Sequence, residues 1–301
     1  MCLWEPEGFW RYGFEERMVK KIMGKFLILL LILGVSQLEG IGNFDCPGLK
    51  SDLDEGEAYI WYLGHAGWAV KTKNHLLIFD YVSYSRLGRT PENPSLANGY
   101  IDPSEIKDCS VFVFVSHGHG DHFDPVIYEW EKSVKKIQYI FGWQAGQNPH
   151  YHYLTEPKMK KTIDGFEIFN INHEFDGIPE GAFLVKGDGL VIFHTGDHGS
   201  TGEELNILFK ENIDYLAQQA KQIDVAFISQ FGSRSGGEVN NGDLYAIEKL
   251  GPKVTFPMHQ GGGERFYKKF AVEAKQKEAK TKVIPAEKRG DRFFYQNGIV
   301  K

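Results

Sequence analysis

Cysteine is scarce in this sequence: the 301 residues include three, and only Cys46 and Cys109 lie beyond the N-terminal segment. One possible pair at an unknown distance does not make the disulfide framework that holds small secreted domains together. We expect neither cysteine to have a functional role. Hydrophobic residues make up 42% of the chain, which is enough to fill a sizeable core. The fold is therefore expected to depend on apolar packing.

Basic charge is limited as well. No run of lysine or arginine occurs outside the extreme N-terminus, and the formal net charge is −6. This balance argues against nucleic acid as a general partner, although it leaves room for a local basic pocket. The sequence also has no internal repeat of short fixed period and no low-complexity tract. Aromatic residues reach 14%, and they either fill the core or line a pocket.

Long apolar runs are missing apart from residues 26–35, ten uninterrupted apolar residues that follow three lysines in residues 20–25. Positive charge before a short apolar run is typical of a secretory signal, and the run is short for a bilayer span. Residues 35–42 offer no good cleavage site, so an uncleaved membrane anchor is the alternative. We therefore expect an exported protein, periplasmic or extracellular, or one anchored to the membrane through residues 26–35. Met18 is a plausible start of translation.

The composition divides the chain into three parts: a leader over residues 1–37, a Gly-, Asp- and Glu-rich linker over 38–57, and one domain over 58–301. Short β-rich runs come first in the domain, and strands then alternate with helices. This order indicates an α/β (α+β) fold of layered sheets with helices outside. The predicted strands are 59–63, 68–71, 76–80, 111–115, 137–141, 166–172, 182–186, 190–194, 225–229, 254–257 and 283–284, and the predicted helices are 125–132, 203–221, 243–250 and 264–280.

A long segment without clear periodicity runs from Tyr81 to Asp108. Irregular stretches of this length inside a domain are usually functional, so we expect a lid or pocket wall; a surface insertion without a role is the alternative. Its tyrosines, Tyr81, Tyr84 and Tyr100, would suit an aromatic pocket. Replacing the segment with a short linker is expected to change substrate preference more than stability.

Three histidines and an aspartate lie within six residues, in the segment His117-Gly-His-Gly-Asp-His122. It follows the apolar run Val111–Val115, which predicts a buried strand. Imidazole and carboxylate groups together suit zinc and neighbouring divalent metals, and the two glycines let alternate side chains converge. The segment therefore predicts a metal site at the end of a strand.

Further residues of metal-binding type each follow another β run: His173, Asp197 and His259. Each alone could be an ordinary turn residue. Together they share one explanation, in which loops at one sheet edge converge on one site. With these further residues, the four groups of the histidine-rich segment could then bind two metal ions.

This order of motifs resembles the metallo-β-lactamase superfamily over residues 58–301: an early strand ending in Asp80, then HxHxDH, a histidine, an aspartate after a strand and a late histidine. The segment Leu63-Gly-His-Ala-Gly67 further resembles the branch that contains ascorbate-phosphate lactonase-like enzymes. The resemblance implies a four-layer αββα sandwich with the site at one edge of the two sheets.

The resemblance also implies the ligands of two divalent metal ions. Asp197 would bridge both metals. His119 favours zinc, because oxygen-reducing di-iron members have a carboxylate at that position, while manganese or iron remains possible. The first metal would be held by His117, His119 and His173, and the second by Asp121, His122 and His259.

Other residues would lie around these ligands. Asp80 would orient the site loops, or it is simply the turn residue that ends a strand. His65 and His194 are further candidates near the pocket, together with Tyr81 and Tyr84 as residues that contact substrate.

The implied reaction is hydrolysis of a small-molecule substrate. A hydroxide bridging the two metals would attack an ester, lactone or amide carbonyl, and Asp121 would act as the catalytic residue that fixes the nucleophile. The alternative is a phosphodiesterase or phospholipase-type hydrolase of phosphorylated small molecules or lipids, which Arg86, Arg89 and Arg234 would suit. A second alternative is a metal-binding protein without turnover. Oligomeric state and physiological substrate are not decided by the sequence.

Overall fold

Two β-sheets form the centre of the protein. The computed structural model describes residues 49, 52–83, 91–175, 177–230 and 237–301. The predicted leader, most of the linker, Tyr84 and the three arginines at 86, 89 and 234 lie outside these residues. The strands, numbered in chain order, are β1 (Glu57–Gly64), β2 (Gly67–Lys71), β3 (His75–Phe79), β4 (Ser110–Val115), β5 (Lys136–Phe141), β6 (His152–Tyr153), β7 (Lys160–Ile163), β8 (Phe166–Phe175), β9 (Ile178–Gly187), β10 (Leu190–His194), β11 (Val225–Ser229), β12 (Val254–Met258), β13 (Lys282–Val283), β14 (Arg292–Gln296) and β15 (Ile299–Val300).

The first sheet has the strand order β15-β14-β1-β2-β3-β4-β5-β6, and the second has the order β13-β12-β11-β10-β9-β8-β7. In the first sheet β3, β4, β5 and β6 run parallel to one another. In the second sheet the parallel strands are β10, β11, β12 and β13. Each sheet therefore has a parallel half, whose strand ends lie at one edge, and an antiparallel half built of hairpins.

Four α-helices accompany the sheets in the described residues: α1 (Pro103–Ile106), α2 (Ile207–Gln219), α3 (Asn241–Leu250) and α4 (Arg265–Gln276). Helix α2 begins later than predicted because the Asn206 side chain accepts hydrogen bonds from the backbone N–H groups of Leu208 and Phe209 and so caps it. The predicted helix over 125–132 is a 3-10 helix, Pro125–Lys132, capped by Asp124. Its buried residues Ile127 and Trp130 are three apart, the spacing at which 3-10 side chains eclipse.

Strand β4 shows how the layers are built. Phe112 and Phe114 point into the apolar layer between the two sheets. Val111, Val113 and Val115 point to the opposite face, where the 3-10 helix and α1 cover the first sheet. A strand buried on both faces needs an uninterrupted apolar run, which is what this segment has.

A third apolar layer packs α2 and α3 on the outer face of the second sheet through Phe209, Ile213 and Ile247. Helices thus cover both sheets from outside, which confirms the predicted αββα sandwich. Cys109 belongs to the outer layer of the first sheet and is disulfide-bonded.

The prediction of an exported or membrane-anchored protein is corrected. Among the described residues, none of the helices has both the length and the apolar character needed to cross a membrane. The apolar run over 26–35, on which a signal peptide and membrane association depended, lies outside the described residues. Neither expectation is retained.

Candidate metal centre

Loops at one edge of the two sheets carry the candidate ligands. Asp80 directly follows β3, His117 follows β4 by one residue, Asp197 follows β10, and His259 directly follows β12. Asp80 and His259 have φ values of 42° and 75°, in the left-handed region that side chains other than glycine rarely adopt. Such backbone strain persists where the surroundings enforce it, as at functional sites. The loops that follow the parallel strands of both sheets thus lie close together, as the sequence predicted.

Two groups of side chains come close enough to hold a cation each. Within each group, one ligand atom per residue lies within 4.8 Å of every other. The first group is His117, His119, Glu180 and Asp197, and the second is His65, Asp121, His122 and His259.

The carboxylate of Asp197 lies between the two groups. Its Oδ1 is 3.1 Å from Nε2 of His122 and 2.8 Å from Nε2 of His259. Its Oδ2 is 3.7 Å from Nε2 of His117. One oxygen therefore faces each group, which is the arrangement that a bridging carboxylate requires.

Asp80 fixes the proton of His122. Its Oδ2 is 2.7 Å from Nδ1 of His122, so Nδ1 carries a proton and Nε2 is the ring nitrogen that faces the site. Ser116 donates its hydroxyl to the same carboxylate at 2.7 Å, and its Oγ is then free to accept from Nδ1 of His117 at 2.9 Å. Both imidazoles therefore turn Nε2 toward the site, and the expected orienting role of Asp80 has a geometric basis.

His65 is arranged differently. Its Nδ1 accepts the backbone N–H of Gly261 at 3.1 Å, so the neutral ring carries its proton on Nε2. That Nε2 lies 3.3 Å from Oδ2 of Asp121. A protonated nitrogen cannot bind a cation, and we therefore interpret His65 as the hydrogen-bond donor that holds Asp121.

His173 does not belong to either group in the described residues. Its Nε2 is 3.0 Å from Oε2 of Glu180, and its Nδ1 is 2.8 Å from Nδ1 of His198. Glu180 instead places Oε1 3.8 Å from Nδ1 of His119 and 3.9 Å from Nε2 of His117. Glu180 thus lies beside the other residues of the first group, where the resemblance placed His173.

Gly196 allows the loops at this edge of the sheets to pack closely together. A Cβ at Gly196 would come within 2.5 Å of the backbone oxygen of Gly181 and 2.7 Å of Cβ of Ser116. Gly196 also has φ of 53° and immediately precedes Asp197. Its N–H donates to Nδ1 of His194 at 3.2 Å, while Nε2 of His194 donates to the backbone oxygen of Ala66 at 2.9 Å. His194 therefore supports the turn that carries Asp197.

The protonation states of His117, Asp197 and Asp121 suit cation binding. Burial lowers the pKa of His117 to about 4, so this ring is neutral near pH 7. Burial alone would raise the pKa of Asp197, but His122 and His259 outweigh it and hold the pKa below its usual range. The hydrogen bond from His65 likewise lowers the pKa of Asp121.

Buried ligand atoms without hydrogen bonds also indicate that the site binds a cation. Nε2 of His117 and Nε2 of His122 have no hydrogen-bond partner among the described residues. A buried polar atom left in this way costs free energy unless something binds it. Imidazole nitrogens and carboxylate oxygens in this arrangement fit divalent transition-metal ions.

A cleft of about 650 Å³ opens beside the second group, lined by His65, Asp121 and His259 and by Val82 and Arg289. The Nε of Arg289 donates to the backbone oxygen of Gly99 at 3.0 Å, and its second terminal nitrogen donates to the backbone oxygen of Val82. The guanidinium carbon lies 4.0 Å from the centre of the Tyr100 ring. Arg289 is thus a cation held in place at the wall of the cleft.

Tyr81, considered above as a substrate contact, is a structural residue. It is 3% exposed and packs in the outer apolar layer, with its ring centre 5.1 Å from that of Trp130. Its hydroxyl accepts the backbone N–H of Ile101 at 3.1 Å. Tyr84, the other candidate, lies outside the described residues.

Three residues of this region were missed by the sequence interpretation: Ser116, Glu180 and Arg289. Glu180 could have been found from hairpin register, because it is the cross-strand partner of His173. The other two had no local signal, since their roles depend on contacts between loops.

Comparison with known proteins agrees with this arrangement. The profile of a family described as "Beta-lactamase superfamily domain" matches residues 59–259. A UPF0173 metal-dependent hydrolase of Thermococcus kodakarensis is 27% identical over 209 residues, which cover 66% of this chain and 82% of that protein. The coverage extends to most of the relative's length.

Two solved structures have a similar fold. Igni18, described as a metallo hydrolase from Ignicoccus hospitalis, has a TM-score of 0.57 at 15% identity and covers 80% of this chain and 99% of its own. CmlA, a diiron β-hydroxylase from Streptomyces venezuelae, has a TM-score of 0.51 at 9% identity and covers 80% of this chain and 54% of its own. At these identities the likeness concerns the fold alone.

The family profile spans more than half of the 301 residues and includes every candidate ligand from His65 to His259. The chain therefore belongs to the β-lactamase superfamily domain family, and its two-sheet architecture is the metallo-β-lactamase-like sandwich.

Proposed function

We propose that this protein is a hydrolase that depends on two divalent cations and acts on an ester, lactone or amide carbonyl of a small molecule. The observation that carries the proposal is the position of Asp197, with one carboxylate oxygen toward each group of ligands. Relatives named as metal-dependent hydrolases support the reaction class.

The chain's own residues would bind and orient the reactants. Cations bound here would lower the pKa of a water molecule toward neutrality and polarise the oxygen that gains negative charge. Asp121, held by His65 at 3.3 Å, would accept a hydrogen bond from the attacking water and align it. Its side chain is 35% exposed, so a substrate in the cleft can reach it.

A second candidate is the hydrolysis of phosphorylated small molecules. The observation in its favour is Arg289, whose guanidinium lies at the cleft wall and suits an anionic group. An ester that carries a carboxylate could use the same contact with Arg289. Experiment must therefore distinguish hydrolysis of a carboxylic ester from hydrolysis of a phosphoester.

Metal analysis coupled to a substrate panel tests the proposal. The protein would be assayed against 4-nitrophenyl acetate and bis(4-nitrophenyl) phosphate, with and without a chelator. We expect close to two cations per chain and chelator-sensitive release of nitrophenol. A protein that binds one cation or none would contradict the binuclear proposal. Faster turnover of the phosphodiester would favour the second candidate.

Asp197→Asn tests the carboxylate that lies between the two groups of ligands. It should abolish hydrolysis and weaken binding of both cations, because the amide cannot present two anionic oxygens. Asp188→Asn is the matched control: Asp188 is a half-buried carboxylate that also pairs with a histidine, His75, but at the opposite ends of β3 and β10. Normal activity in Asp197→Asn would mean that the site is wrongly assigned.

A further inference from the structure

We propose that Glu180 is a ligand of the first cation and that His173 positions Glu180 instead of binding the cation itself. The inference rests on the proposed binuclear function for the existence of that cation. It concerns a residue that neither the motif nor the resemblance identified, and it changes the donor set of the first site.

The hairpin of β8 and β9 places these two residues side by side. His173 and Glu180 are directly opposed in the antiparallel register, so their side chains leave the sheet on the same face. Glu180 is 1% exposed, whereas the neighbouring Glu174 on the same hairpin is exposed. The hairpin therefore directs one glutamate into the site and one into solvent.

The buried carboxylate of Glu180 requires a positive partner. Desolvation of an ionised carboxylate costs several kcal/mol unless it is paired. Among the described residues, its ion-pair contacts are with histidines only, His117, His119 and His173. A divalent cation between Glu180, His117 and His119 would supply the positive charge.

The contacts of His173 leave no lone pair for a cation. With its proton on Nε2, which lies 3.0 Å from Oε2 of Glu180, His173 accepts at Nδ1 from Nδ1 of His198 at 2.8 Å. The reverse assignment would set the Nε2 lone pair against a carboxylate oxygen, which is repulsive. His173 and His198 thus form a chain that orients the carboxylate.

The resulting first site has two imidazoles, from His117 and His119, and two carboxylates, from Glu180 and Asp197. A site of this composition is less selective for zinc than one with three imidazoles, because carboxylate oxygens suit harder cations such as Mn²⁺. The expectation of zinc, which depended on the imidazole of His119, is weakened accordingly.

Cation content of reciprocal variants tests the inference. Apo protein would be reconstituted with Zn²⁺ or Mn²⁺, freed of excess metal and analysed by mass spectrometry. Glu180→Gln should bind about one cation per chain instead of about two. His173→Gln should still bind about two, with affinity reduced about 10–100-fold, as for other residues that orient a ligand. Glu174→Gln is the matched control and should behave as the wild-type protein.

The opposite pattern would overturn the inference. If Glu180→Gln keeps two cations, Glu180 is not a ligand, although the proposed function stands. If His173→Gln loses one cation, the histidine is the ligand. A wild-type protein that binds no cation would overturn both this inference and the proposed function.

Two measurements guard against misfolding. Glu180→Asp keeps a carboxylate and should restore part of the second equivalent that Glu180→Gln loses. Pulsed EPR of the Mn²⁺-loaded wild-type protein needs no variant, and should detect no more than two histidine nitrogens per cation. Detection of three would contradict the assignment of Glu180.

Discussion

Nδ1 of His65 accepts the backbone N–H of Gly261 at 3.1 Å, and this contact decides where the proton of the imidazole lies. With the proton on Nε2, His65 donates toward Asp121 and does not bind a cation. The contact also joins the turn between β1 and β2 to the loop after β12, since the backbone oxygen of His65 accepts the N–H of His259 at 3.0 Å. An element remote in sequence thereby positions Asp121.

His65→Ala should therefore leave cation content unchanged and lower kcat about 10–100-fold, since Asp121 loses its orienting donor. His65→Gln, whose amide N–H can also donate, should recover part of the rate. The measurements are cation content and steady-state kinetics of both variants. Loss of a cation in His65→Ala would show that this residue is a ligand after all.

Asp80→Asn should weaken cation binding about 10–100-fold, because the carboxylate sets the tautomer of His122 and, through Ser116, that of His117. Competition with a chromogenic chelator measures the affinity. Asp188→Asn should lower the free energy of unfolding and leave cation affinity unchanged. An unchanged affinity in Asp80→Asn would refute the orienting role.

Asp243 gives a prediction for pH dependence. Burial raises its pKa to about 7, although the backbone N–H of Asn240 opposes this by donating to the carboxylate. Because the folded pKa lies above the unfolded value of about 3.9, ionisation of Asp243 destabilises the folded state increasingly as pH rises from about 4 to about 7.

Asp243→Asn removes this effect and keeps an acceptor for the Asn240 N–H. Relative to the variant, the wild-type apo protein should lose on the order of 3 kcal/mol of unfolding free energy between about pH 5 and about pH 8. Urea unfolding at the two pH values provides the measurement. Parallel pH profiles for the two proteins would contradict the prediction.

Replacing Tyr81–Asp108 with a short Gly/Ser linker should unfold the domain, which reverses the expectation from the sequence. Tyr81, Leu96 and Ile106 are 3%, 1% and 0% exposed. Burial of each such side chain contributes about 1.5–3 kcal/mol, against a total stability of about 5–15 kcal/mol for a typical domain. Circular dichroism of the shortened protein gives the result. A folded protein with altered substrate ranking would restore the original interpretation of a dispensable pocket wall.

Arg289→Met should reduce activity on anionic substrates more than on neutral ones. The natural pair of reporters is 4-nitrophenyl hemisuccinate and 4-nitrophenyl acetate, which share a leaving group and differ in charge. We expect kcat/KM for the anionic ester to fall about tenfold or more, mainly through KM, with a smaller change for acetate. Arg289→Lys should retain part of the preference. Equal losses on both esters would assign Arg289 a purely structural role.

The sequence by itself determined the metal-binding character of the chain and most of its strands, although not β6, β7, β14 and β15. The run Val111–Val115 is apolar at every position, so burial on both faces follows from composition. The segment His117–His122 has the donors of a divalent metal site whatever surrounds it. Helix starts were less certain, as at Asn206, because a capping side chain sets them by local hydrogen bonds.

Only the tertiary structure decided which histidines are free to bind a cation. His65, His117, His122 and His173 are the same residue type, and their roles differ through the partner of Nδ1: Gly261, Ser116, Asp80 or His198. Apart from Ser116, which adjoins His117, those partners come from loops far apart in the chain, brought together by the packing of two sheets. Proton position on an imidazole depends on these contacts, and local sequence does not encode them.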